Sequence, residues 1–87
     1  MPIKSHGTVI GICTFTRRIA VKIEYGDISI LKVDDVSDFE INHVLFGSFV
    51  TKGDNLIFNT TDNTEHHVYI QAIGCNRATA EHLLFRA

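Results

Sequence analysis

Five histidines (His6, His43, His66, His67 and His82) and two cysteines (Cys13 and Cys75) are the side chains with which this chain could hold a metal or attack a substrate. A metal site needs ligands that converge in space. His66 and His67 are neighbours in a strand-like run, so they point to opposite faces and cannot share one ion without a bulge. No Cys-x-x-Cys pair is present. The cysteines read as small buried thiols and the imidazoles as surface groups. Nucleophilic catalysis would need a Ser or Cys beside a His and an orienting acid. No Gly-x-Ser-x-Gly turn presents such a nucleophile. Gly7-x-x-x-Gly11 lies in a strand pattern and lacks the Lys-Ser/Thr of a phosphate-binding loop. Asp34, Asp35, Asp38 and Glu40 lack the register of a calcium loop and read as a solvated acidic loop. The expectation is a chain with no catalytic residue, no metal and no cofactor, hence not an enzyme.

Two groups of residues suit binding instead. Phe15, Arg17, Arg18, Lys22 and Lys32 come together if the first three strands form a meander. Guanidinium groups beside an exposed ring hold phosphates and stack a base. The competing reading makes Phe15 core and the cations ordinary edge charges. The second group is aromatic: Phe46, Phe49, Phe58, Tyr69 and Phe85. If the small core cannot hold all five rings, those left outside mark an interface; otherwise they fill the core.

Charge favours the second group. The net charge is −2, whereas nucleic-acid-binding domains are usually basic. That total hides an asymmetry. Residues 1–33 carry five cations against two acids, and residues 34–87 carry three cations against eight acids. Unlike charged regions permit head-to-tail association.

The elements that must position these groups are mostly strands. Ile19, Val21, Ile23 and Tyr25 alternate with Arg18, Ala20, Lys22 and Glu24, a period of two that marks a half-buried strand. Gly26-Asp27 suits a two-residue type II′ turn. Ile28 to Val33 then returns, pairing Tyr25 with Ile28, Ile23 with Ile30 and Lys22 with Leu31. After Ile30 the apolar residues switch faces, which requires a bulge or a sheet covered on both sides. Residues 7–15 form a first strand interrupted by Gly11, and 44–51, 56–60 and 67–73 form three more. Lys52-Gly53-Asp54-Asn55 and Thr61-Asp62-Asn63-Thr64 read as turns, and Ser37-x-x-Glu40 as the cap of a short helical turn. Asn76 caps a helix over about 76–86. Ala80, Leu83, Leu84 and Ala87 form its apolar stripe, which packs along the sheet or plugs a barrel end.

The 87 residues make one domain, 1–87, with 45% hydrophobic residues and six phenylalanines to build its core. The fold class is mainly β: a five- to six-stranded antiparallel barrel, or strongly curled sheet, with one C-terminal helix. Short Gly-containing strands joined by tight turns over residues 7–73 resemble the small barrels of the oligonucleotide-binding (OB) and SH3-like groups. The aromatic run of cold-shock domains and the RNP motif are both missing, so no functional residue carries over. No signal peptide and no membrane-length apolar run is present, and a cytoplasmic location is expected. The functional expectation is a non-enzymatic binding or assembly module acting through protein contacts, with itself or another protein. Single-stranded nucleic-acid binding is the alternative.

Overall fold

The computed structural model describes residues 4–24 and 26–86. Six strands run in chain order: β1 (Ser5–Cys13), β2 (Arg18–Ile23), β3 (Ile28–Lys32), β4 (Val44–Gly47), β5 (Gly53–Asn59) and β6 (Thr64–Cys75). They are followed by helix α1 (Arg77–Phe85). The strands close into an antiparallel barrel in the order β1-β2-β3-β6-β5-β4, so two three-stranded meanders meet along β1–β4 and β3–β6. Val9, Ile19, Val21, Leu31, Leu45, Ile57 and Ile70 fill the interior. Two phenylalanines from the loops, Phe39 and Phe49, join the same core.

The β2–β3 hairpin departs from the register read from sequence. Lys22 faces Ile28, Ala20 faces Ile30 and Ile19 faces Leu31. Four residues, 24–27, make the connection. The Ile23 amide donates to the Asp27 carbonyl and the Gly26 amide to the Ile23 carbonyl. Gly26 takes the positive φ of 97° that this wider loop needs. The expected contact of Tyr25 lies outside the described residues.

This register also explains the apparent face switch. Ser29, Leu31 and Val33 are buried on the barrel side, while Ile28 and Ile30 are buried on the outer side beneath α1. Both sides of β3 are therefore covered, and irregular pairing with β6 occurs on either side of Ile30.

Helix α1 lies along the outside of β1, β2 and β3 rather than across a barrel end. Asn76 caps it, accepting from the Thr79 amide at 2.8 Å. Ala80 and Leu84 are its buried residues; Ala87, expected in the same stripe, lies outside the described residues. Gly11 permits the close approach, since a Cβ there would stand 2.7 Å from Leu84 Cδ2. The other helix end is tied down by side chains. The Thr16 hydroxyl donates to the Leu84 carbonyl and Arg18 Nη1 to the Leu83 carbonyl, each at 2.7 Å.

Two further boundaries move. β5 begins at Gly53, so the turn lies at 48–52 rather than 52–55. Asn55 Nδ2 donates to the Ser48 carbonyl and steadies that turn. Residues 36–38 form a single 3₁₀ turn capped by Asp35, which accepts from both the amide and the hydroxyl of Ser37. Glu40, expected to serve that cap, instead faces His43. Among the described residues no helix is long and apolar enough to cross a membrane.

Candidate functional site

The outer face of β4, β5 and β6, away from α1, carries an apolar row. Its members are set by cross-strand pairing. Phe46 on β4 stands opposite Phe58 on β5. His6 on β1 stands opposite Phe46, with ring centroids 4.8 Å apart. Leu56 follows Phe58 on the outward side of β5 and faces His67 on β6. Tyr69 is next on β6, opposite Asp54. Leu56 and Tyr69 are about half exposed, at 50% and 48%, and Phe58 is 36% exposed. Phe46 and Phe58 are directly opposed on one sheet face, and Leu56 two residues along β5 and Tyr69 diagonally across on β6 extend the row.

Acids interrupt the strip at fixed places. Glu65 is the cross-strand neighbour of Phe58, and Asp54 that of Tyr69. On its other side Tyr69 faces Lys32 of β3, which in turn faces Arg18 of β2. The rim thus carries both signs of charge.

The five residues of the expected basic patch are not brought to one place. Arg18 is half-buried and spent on the helix carbonyls, with a buried Nε that finds no partner. Lys22 points outward four residues further along β2, about 13 Å away at ~3.3 Å per residue. Arg17 and Lys32 do share a cleft of about 200 Å³, together with Asp34, Asp54, His67 and Tyr69. Two carboxylates therefore face the two cations. Phe15 stands alone at the tip of the β1–β2 turn, 98% exposed.

Of the five aromatics considered for an interaction surface, Phe46, Phe58 and Tyr69 share the outer strip. Phe49 does not belong to any surface; it is completely buried, because the early end of β4 lets the 48–52 loop turn it into the barrel. Phe85 is exposed, but it sits on α1 beside Ile10, on the other side of the barrel. Leu56 and His67 are members that sequence reasoning missed. The alternation of Leu56 and Phe58 with Ile57, inside the strand expected at 56–60, is the signal that would have revealed Leu56.

The titratable side chains are mostly used structurally. His66 packs on the Phe39 ring at 4.8 Å and lies 3.8 Å from Asp38. His67 points to the other side of β6 and is exposed. Buried His43 meets Asn59 through Nδ1 at 2.9 Å and Glu40 through Nε2 at 3.3 Å. Among the described residues no group of three or more His, Cys, Asp or Glu is placed to hold a metal ion. Comparison with protein-family models, with curated proteins and with solved structures finds no match.

Proposed function

We propose that this barrel is a non-enzymatic assembly module that associates with a second copy of itself through the outer face of β4, β5 and β6. The observation that carries the reading is the Phe46–Phe58 pair, continued by Leu56 and Tyr69 into an uncovered apolar strip. Water-exposed aromatics in a contiguous row favour burial against another surface. The rim suits a second copy, because it carries Asp54 and Glu65 as well as Lys32, so that acids of one copy can meet the lysine of the other. Two such faces can be opposed without like charges having to meet.

The alternative, an OB-like barrel gripping a single strand, draws support from Phe15 and Arg17, both exposed in the β1–β2 turn. Against it, each outward aromatic of the β5–β6 strip has a carboxylate as its direct cross-strand neighbour, which repels a phosphate backbone.

Sedimentation over a concentration series tests the assembly reading. Wild type should self-associate as concentration rises, and Leu56→Glu should weaken that association. A wild type that stays monomeric throughout, or a Leu56→Glu variant that dimerises as well as wild type, defeats the reading. Titration of a labelled oligonucleotide at two salt concentrations tests the alternative. Binding that falls with salt and is lost in Arg17→Ala/Lys32→Ala would support it.

A further inference from the structure

The two ends of the barrel differ in a way that the sheet-face contact does not use. At one end, the β1–β2 turn presents Phe15 almost completely to solvent. The presentation is rigid. Thr16 and Arg18 on either side are hydrogen bonded to the end of α1, and the Arg17 carbonyl accepts from the Val33 amide at 2.9 Å. Arg17 itself has a φ of 55°. A turn whose backbone is already fixed loses little backbone freedom on docking, which favours its use as an anchor.

At the opposite end, the β2–β3 turn, the 48–52 loop and the end of β6 surround a cleft of about 180 Å³. Exposed Val50 and Ile73 flank it, buried Ile23 and Phe49 lie beneath them, and Asp27 is among its lining residues. The Ser29 hydroxyl in this cleft is already satisfied by the Phe49 carbonyl at 3.0 Å. An apolar cavity of roughly 150 Å³ accepts a benzene ring, so the cleft has the size and polarity to take a phenylalanine ring.

We infer that Phe15 of one copy docks between Val50 and Ile73 at the cleft of the next, a head-to-tail contact. The ring and socket lie at opposite ends of one barrel, so a chain cannot fill its own socket. Arg17 in the same turn as the ring and Asp27 at the socket supply opposite charges to the two sides. The contact is heterologous and leaves a free ring at one end and a free socket at the other, so it extends rather than closes. The inference rests on the self-association reading above and adds a second interface to it. Together the two contacts let sheet-face dimers grow into larger assemblies.

The test uses the full chain and two substitutions at exposed positions, Phe15→Asp and Val50→Arg, with circular dichroism confirming that each folds. Wild type should form species larger than a dimer at high concentration. Each variant alone should stop at the dimer, its head-to-tail association weakened by about 10- to 100-fold. A mixture of the two should regain the larger species, since one variant keeps the socket and the other keeps the ring. Three results overturn the contact: variants that grow like wild type, a mixture that does no better than its components, or a wild type that stops at a dimer. In the last case a dimer abolished by Leu56→Glu leaves the sheet-face reading standing. A wild type monomeric at every concentration overturns both. If Phe15→Asp instead abolishes oligonucleotide binding and leaves assembly unchanged, the ring belongs to nucleic acid and the head-to-tail contact is refuted.

Discussion

Asn59 donates its side-chain amide to Nδ1 of His43 at 2.9 Å, and both side chains are buried. The orientation of that amide is fixed by its oxygen, which accepts from the Thr61 amide at 3.0 Å and the Asp62 amide at 3.1 Å. Nδ1 is therefore the acceptor, and the ring proton sits on Nε2, facing Glu40. Through this one residue the β5–β6 turn is joined to the loop leading into β4. The His43 carbonyl in turn accepts from the Val9 amide at 2.9 Å, extending the link to β1.

Asn59→Ala should destabilise the fold by about 1–3 kcal/mol in urea unfolding, because it takes two turn amides' acceptor and leaves the buried imidazole nitrogen only the longer bond from the Glu40 amide at 3.3 Å. Asn59→Asp keeps the acceptor for the turn but removes the donor to His43, and should cost less at the turn. Amide exchange separates the effects. Thr61 and Asp62 should lose protection in Asn59→Ala and keep it in Asn59→Asp.

Arg17 and Arg18 are adjacent in sequence and opposite in role. Arg18→Ala removes the cation holding the last carbonyls of α1 and should cost about 1.5–3 kcal/mol, the range for hydrogen bonds to charged groups. Amides near the end of α1, including Arg86, should lose exchange protection. Arg17→Ala touches no such bond, since its backbone carbonyl makes the contact with Val33. It should leave unfolding within about 0.5 kcal/mol of wild type, as surface changes usually do.

That difference shows what the sequence makes legible. The alternation of Ile19, Val21 and Ile23 identifies β2, and Asn76 with Ala80 and Leu84 identifies α1, because each rests on a local periodicity or cap. The hairpin register is not local in this way. Gly26-Asp27 fits a tight turn by composition, but the pairing is decided by burying Ile28 and Ile30 under a helix some fifty residues later. The same holds at the surface. Phe49 and Phe58 look equivalent in sequence, yet one lies in a loop folded into the barrel and the other faces outward on β5. Arg18 reads as a free cation until the end of α1 arrives beside it.

Cys13 and Cys75 should not form a disulfide within one chain. Cys13 pairs with Arg18 at one end of β2, and Cys75 faces Ile28, the partner of Lys22, near the other. The rows are about 13 Å apart, beyond the roughly 7 Å between Cα atoms that a disulfide spans. Mass spectrometry after mild oxidation should find no internal crosslink. The two thiols, both buried, should also differ in reactivity. Thr16, through its hydroxyl and then its backbone, holds the Cys13 thiol below the ordinary value. Burial raises that of Cys75. Since the thiolate is the reactive form, alkylation followed against pH should label Cys13 first. Thr16→Val should narrow the gap.

Asp35 should give the 3₁₀ turn an acid sensitivity of predictable sign. The Ser37 hydroxyl, then its backbone amide, bonds the Asp35 carboxylate and lowers its pKa from the ordinary value; Arg17 adds a smaller attraction. A depressed carboxyl favours the folded turn at pH values above the ordinary carboxylate range. The support then fades as pH falls through that range and is gone once the folded-state carboxyl is itself protonated. An NMR titration should find Asp35 ionising below an unperturbed aspartate. Ser37→Ala removes the larger cause and should move the value upward toward the ordinary one. Arg17→Ala should move it in the same direction by less. If Arg17→Ala has the larger effect, the carboxylate is held by the cation across the loop and not by its own cap.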